Sequence, residues 1–311
     1  MTGGRVIAVG GHESDGAAAL TGVLGPEVVR VAGGRELVRE VRSARADGER
    51  VCVVPMTLGR DPSLVADAAR TLLALDASER AGTVLAEPFA TTAHLVGWLR
   101  TLATRVPDDR ALLVTAPSGD PFSDADLFRT ARLVRQYGRH RTVEVALLGG
   151  DPGLAEGVRR CRALGAPRVV VLPAAWAVPE PTGVPHAEYG GPLLSGSAAA
   201  GVLASRVREA QDRYERSGDD GVKRALAADH DHGHAHSHGP DGHDHDHDHG
   251  HDHGHGHSHS HGHGDRHGPG PDPGGEHHHR TPSHAPRTGA EPPVRHQGAA
   301  PDLVPSHRSP R

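Results

Sequence analysis

Apolar residues follow two alternating rhythms over roughly the first 215 positions of this chain. Short unbroken runs rich in Val, Leu and Ala predict strands at 5–9, 27–32, 50–55, 82–86, 111–115, 142–147 and 168–172. Between them lie RELVREVRSARA, PSLVADAARTLLAL, SDADLFRTARLVRQYG and LAEGVRRCRALG, whose apolar positions recur at helical spacing. Pro62 suits a first helical turn, and Ser123 is the expected N-cap before DADLF. Strands that are apolar throughout are buried on both faces. The expected fold class is therefore α/β, with parallel sheets flanked by helices.

The pattern also repeats. VCVVP at 51–55 returns as VVVLP at 169–173, and AVGGHESDG at 8–16 has a counterpart in VTAPSGDPFSDAD at 114–126. AGGRELVREVRSA at 32–44 resembles LGGDPGLAEGVRRCRA at 148–163. Two similar lobes are expected, 1–108 and 109–217, dividing near Pro107–Arg110. In such sheets ligands sit beyond the C-terminal strand ends, which directs attention to the loops 10–15, 56–62, 116–121 and 174–190.

Composition changes the picture for the remainder. From about Ala228 the chain is almost wholly His, Gly, Asp, Ser, Pro and Arg, too polar to bury a core, so 218–311 is expected to be a disordered tail. Within it stand His230, His232, His234, His236, His238, His243, His245, His247, His249, His251, His253, His255, His257, His259, His261 and His263. Imidazole suits Co²⁺, Ni²⁺, Zn²⁺ and Cu²⁺, and a flexible tract offers many equivalent ligand sets, favouring capacity and fast exchange over one rigid site. A tag would be a short uninterrupted run at a terminus, whereas this tract is long, interrupted and internal.

The formal charge of −5 counts all 27 histidines as neutral, and protonating them would give −5 + 27 = +22. Charge so dependent on pH near the imidazole range gives no ground for a nucleic-acid partner, and aromatic residues at 3% are too few for base stacking. Cys52 and Cys161 read as small buried hydrophobes. No charged leader or membrane-length run is present, so a cytoplasmic location with no membrane partner is expected. There is no P-loop, dinucleotide fingerprint, GxSxG or HExxH. Outside the tail, His12 falls in the loop after the first strand, where a ligand-facing residue and a solvated one are equally consistent with position. His94 reads as an ordinary helical histidine and His140 as a solvated turn, while His186 belongs to a long loop that could close over a cleft.

The succession SGDPFSDADLFRTARLV, VEVALLGGDPGLAEGVRRCRALGAPRVVVLP and GPLLSGSAAAGVLASRVREA, together with the loop histidine and the tail, resembles the class II tetrapyrrole chelatases. Within them it is similar to the long sirohydrochlorin cobaltochelatase-like proteins of the CbiX type, over about residues 5–215. The resemblance implies a chelatase-like fold and a lyase activity: insertion of Co²⁺, or of Ni²⁺ or Fe²⁺, into a sirohydrochlorin-like tetrapyrrole in cobalamin or sirohaem-type biosynthesis, with the tail concentrating metal. It also implies basic groups for the substrate's carboxylates, for which Arg60 is the candidate.

The chain departs from the family at its histidines. Where the family has a VGHGSRDP-like loop, this chain reads VGGHESDG, so Gly11 takes the histidine's place and His12 comes one residue late. Where a GYH-like segment is expected, it has PMTLGRDPSLV, and Asp61 stands nearest. One expectation is a rebuilt site with His12, Glu13 and Asp61 as catalytic groups, His12 and Asp61 also meeting metal, and Arg60 and His186 meeting substrate. The other is a non-catalytic metal store or chaperone on the same fold.

Overall fold

The computed structural model describes residues 4–179 and 183–232, with side chains through Ala227. In chain order the elements are β1 (Gly4–Val9), β2 (Val29–Val31), α1 (Gly34–Ala46), β3 (Arg50–Pro55), α2 (Pro62–Leu73), α3 (Ala77–Arg80), β4 (Thr83–Leu85) and α4 (Thr92–Ala103). They continue as β5 (Ala111–Pro117), α5 (Pro121–Gln136), β6 (Val143–Leu148), α6 (Leu154–Ala163), β7 (Val169–Pro173), β8 (Ala187–Tyr189), α7 (Gly196–Ser217) and α8 (Val222–His232).

Two four-stranded sheets result, ordered β2-β1-β3-β4 and β6-β5-β7-β8, with every pairing parallel. The orders are the same when the strands of each lobe are counted from its first, as the internal repeat implies. In the first lobe the two central strands end level, Val9 beside Pro55; in the second, β7 ends at Pro173 beside Thr115 while β5 runs on to Pro117. Backbone groups beyond those ends are free to serve loops instead of the ladder.

The apolar runs are explained by burial on both faces. Ala8, Cys52, Val54 and Val84 from the first sheet share one core with Leu112, Val114, Val170 and Leu172 from the second, through Leu95, Leu99, Leu127 and Leu203 of the intervening helices. The alternate residues Ile7, Val9, Val51 and Val53 turn outward onto α1 and α2, and Leu113, Val169 and Val171 onto α6. Successive strand residues point to opposite faces, so a strand between two cores is apolar at nearly every position. Cys52 and Cys161 are free and buried, and burial pushes both thiols up to about 12. Among the described residues no helix is long and apolar enough to cross a membrane.

Four local expectations need correction. Helix α5 starts at Pro121 with Asp120 as its cap, whose carboxylate accepts from Phe122 N and Ser123 N; an Asp-Pro pair sets the cap three residues before Ser123. His140 is no solvated turn: it is 5% exposed, with Nδ1 3.0 Å from Arg110 O and Nε2 3.1 Å from Ala103 O. Helix α7 lies in sequence after the second sheet but returns to the first, where Arg213 reaches Leu85 O at 2.7 Å. Finally, α8 forms beyond Gly218 because Val222 and Ala225 supply an apolar face that packs with α2 and the outer core of the first lobe. The rest of the expected tail, from residue 233, lies outside the described residues.

Candidate functional site

The loops after β1, β3, β5 and β7 meet at the C-terminal ends of the two sheets. The first is a single tight turn, His12–Ser14, closed by Asp15 and Ala17 at positive φ. Gly10 is required there, since a Cβ would stand 2.5 Å from the backbone of Ala17. The turn delivers two side chains in opposite senses, His12 toward Asp61 and Glu13 into the protein.

Asp61 holds a double position. Its Oδ1 caps α2, accepting from Leu64 N at 3.0 Å and Ser63 Oγ at 2.8 Å. Its Oδ2 accepts from His12 N at 3.3 Å and lies 2.9 Å from His12 Nδ1. A carboxylate on Nδ1 fixes the proton there and leaves Nε2 with its lone pair. That hydrogen bond holds the His12 imidazole above its ordinary value, against the opposing effect of burial. Burial pulls the Asp61 carboxyl upward, but hydrogen bonds from His12 and Ser63 outweigh it and set the group below its ordinary value. His12 Nε2 itself is buried with no protein partner, beside Gly119 of the other lobe, where an added Cβ would stand 3.4 Å away.

Glu13 is 1% exposed. Its Oε2 accepts from the Thr57 hydroxyl and from Leu58 N at 2.9 Å, while Oε1 has no partner. Burial raises its pKa above the ordinary carboxylate value despite those hydrogen bonds and the Arg60 charge. The Glu13 carbonyl accepts from Trp176 N at 2.9 Å, and Trp176 Nε1 donates to Met56 O at 2.7 Å, so β7's loop is fastened to both first-lobe loops.

Arg60 is wholly buried and spans the lobes. Nε and Nη2 donate to Ser123 O at 3.3 and 3.1 Å, and Ser123 Oγ donates back to Arg60 O at 2.8 Å. Burial lowers its pKa below the ordinary guanidinium value, opposed by the charges of Glu13 and Asp124. The guanidinium is thus a bolt between lobes and not a rim group open to substrate carboxylates. His186 is also elsewhere. It is exposed at φ +67°, and its carbonyl accepts from Val169 N at 2.9 Å, at the N-terminal edge of the second sheet. His94 caps α4, accepting from Thr91 N through Nδ1 at 3.2 Å.

The structure therefore brings His12, Glu13, Asp61 and Arg60 together and leaves His186 out. The residues that sequence reasoning missed are Thr57, Gly119 and Trp176. All three follow strand ends, the available signal, but none is of a type that advertises chemistry. Among the described residues no three His, Cys, Asp or Glu side chains converge as a closed metal site. The backbone of His230 and His232 ends α8, and the later tail histidines lie outside the described residues.

Gly11 leaves room for the Asp61 carboxylate. A Cβ there would run into Asp61 Oδ2, so the carboxylate occupies the space a side chain at 11 would need. The glycine at 11 and the aspartate at 61 are one steric unit. A cleft of about 420 Å³ opens beside this unit, over Gly10, Gly11, Gly33, Gly34 and Asp61.

Two lobes of one parallel topology, with a buried acid, a histidine–aspartate pair and a loop junction at their strand ends, define a two-lobed α/β protein with a candidate site between its loops. A stretch of 68 residues is 38% identical to a sirohydrochlorin cobaltochelatase of Priestia megaterium, covering 21% of this chain and 22% of that one. The resemblance of the chain to the class II tetrapyrrole chelatases holds in that shared sequence. No family model matches. SirB from Bacillus subtilis, solved with Fe³⁺, matches 70% of this chain with all of its own, at 16% identity and a TM-score of 0.44. The sirohydrochlorin chelatase SirB of Bacillus subtilis subspecies spizizenii, in complex with cobalt, covers the same shares at 17% identity and 0.43. DR2241 of Deinococcus radiodurans, a multi-domain protein with structural similarity to chelatases, matches 66% of this chain with 55% of its own, at 16% and 0.36.

Proposed function

We propose that this protein binds a sirohydrochlorin-like tetrapyrrole and inserts a divalent metal, Co²⁺ or its neighbours Ni²⁺ and Fe²⁺, with His12 as the group that meets the ion and takes a proton. The observation that carries this reading is His12 Nε2: oriented from behind by Asp61, buried, and without a protein partner. Insertion releases two pyrrole protons for each ion taken up. His12 Nε2 accepts one. Glu13 is the second acceptor, because its Oε1 is unpartnered and burial favours its protonated form. Asp61 is a positioning residue, holding the tautomer and stabilising the imidazolium. The metal here is substrate, and the His-rich tract of 230–263 raises its concentration near the cleft by tethering.

A second reading rests on the tract alone: a store or chaperone for Co²⁺, Ni²⁺ or Zn²⁺ that has kept the fold without the reaction. Anaerobic mixing of the protein with sirohydrochlorin and Co²⁺, followed by absorption against a protein-free control, separates the two. Insertion faster than the control and abolished in His12→Ala supports the chelatase. No acceleration, with several ions bound per chain and lost on deleting Ala228–Arg311, establishes the store.

A further inference from the structure

The chain contains three phenylalanines, and one of them stands in the open on the helix turn that follows Gly119, the neighbour of His12. Phe89 is wholly buried in the shared core. Phe122, by contrast, is 84% exposed in the first turn of α5. An isolated exposed apolar residue ordinarily needs no explanation. The placement of this one does. Phe122 stands three positions beyond Gly119, the residue that flanks His12 Nε2. Its backbone is fixed on both sides: Phe122 N donates to Asp120 Oδ1 at 2.9 Å, and the next carbonyl, Ser123 O, receives the buried Arg60 guanidinium. A ring with an anchored backbone and an unpacked side chain is preorganised to receive a flat apolar face without ordering cost to the loop. Val178, 57% exposed, follows β7 on the same C-terminal edge, next to Trp176, whose own backbone is tied to Glu13.

We propose that Phe122 is the shelf on which the macrocycle face of the tetrapyrrole rests, setting the ring plane relative to His12. The inference rests on the chelatase reading and deepens it, because it names a residue that determines affinity for a flat, conjugated substrate. Phe122 contacts no proton and no ion; it orients. Arg60 acquires a purpose from this as well, since the bolt to Ser123 carries the shelf across from the second lobe to the loop of Asp61.

The test is titration of full-length protein with metal-free sirohydrochlorin, read by fluorescence quenching, on wild type, Phe122→Ala, Phe122→Trp and Phe128→Ala. Phe128 is 44% exposed further along α5 and controls for nonspecific adsorption to apolar surface. Phe122→Ala is expected to weaken binding about tenfold, equivalent to about 1.4 kcal/mol. Phe122→Trp should bind at least as tightly as wild type, and Phe128→Ala should be unchanged. Thermal melts of all four should coincide, since neither ring supports the core. Equal affinity of Phe122→Ala and wild type, or an equal loss in Phe128→Ala, overturns the shelf while leaving the chelatase reading intact. A wild-type protein that binds no sirohydrochlorin overturns both.

Discussion

Asp61→Asn isolates the histidine–aspartate pair from everything else the residue does. Asparagine caps helices as well as aspartate, so its carbonyl oxygen retains the bonds from Leu64 N and Ser63 Oγ and α2 keeps its start. The other side of the side chain becomes an NH₂ that faces His12 N and Nδ1. One backbone N–H loses its acceptor, a cost of about 1 kcal/mol, or a fall in Tm of about 3 °C for a folded part of this size. The effect on chemistry is far larger. With a donor opposite it, Nδ1 must accept, the ring proton moves to Nε2, and the lone pair that would take an ion or a proton is gone. A general base lost in this way reduces a rate by roughly 10²–10⁴-fold. The assay is the anaerobic absorption change of sirohydrochlorin with Co²⁺, paired with a thermal melt. Asp61→Ala makes the contrast: it also loses the cap, costing about another 1 kcal/mol. A near-wild-type rate in Asp61→Asn, or losses in Asn and Ala that merely track their stabilities, would refute the orienting role.

Other outcomes follow from the same geometry. The Asp61 hydrogen bond raises the His12 pKa, so the neutral ring needed for insertion is reached only above the ordinary imidazole range of about 6.5. A rate–pH profile should rise through that region, and the pair's contribution to stability, complete below the unfolded value, should fade as pH climbs through the raised one. Gly11→His should cost about 1–3 kcal/mol in denaturant unfolding because the new side chain collides with Asp61. Arg60→Lys keeps charge but not the fork, leaving Ser123 O under-bonded in a buried place. It should lose about 1–3 kcal/mol in the same assay and weaken tetrapyrrole binding as Phe122→Ala does. Deleting Ala228–Arg311 should leave the melt unchanged and remove most bound metal, whereas deletion from Val222 uncovers the outer core and costs about 2 kcal/mol for that side chain.

The strands and helices were legible because nearly all of them bury a face, and burial writes itself into spacing. β8 was not: Ala187–Tyr189 lies on an open edge, partly exposed, and three residues carry no rhythm. Asp61 could be singled out in the sequence as a ligating residue just beyond a strand end, yet its pairing with His12 depends on two loops 49 residues apart in the chain. Arg60 and His186 show the reverse failure. Each was a charged or ligating residue in a loop, and sequence holds no sign of whether such a side chain points into a lobe junction or leaves at the wrong end of a sheet. His140 reads as surface for the same reason, since its two carbonyl neighbours come from Ala103 and Arg110.

The return of α7 and α8 to the first sheet has a consequence for how the protein comes into being. Chain leaves the ribosome from its N-terminus, and β1 to β4 are complete by Leu85. Yet the inner cover of β3 and β4 arrives only with residues 196–217, and the outer seat beside α2 is filled only by Val222 and Ala225. The half made first must therefore wait, with apolar surface open, until the half made second has passed through. The two lobes are repeats in architecture but not independent in assembly, and a first lobe expressed alone should gather into aggregates unless the last two helices are supplied with it.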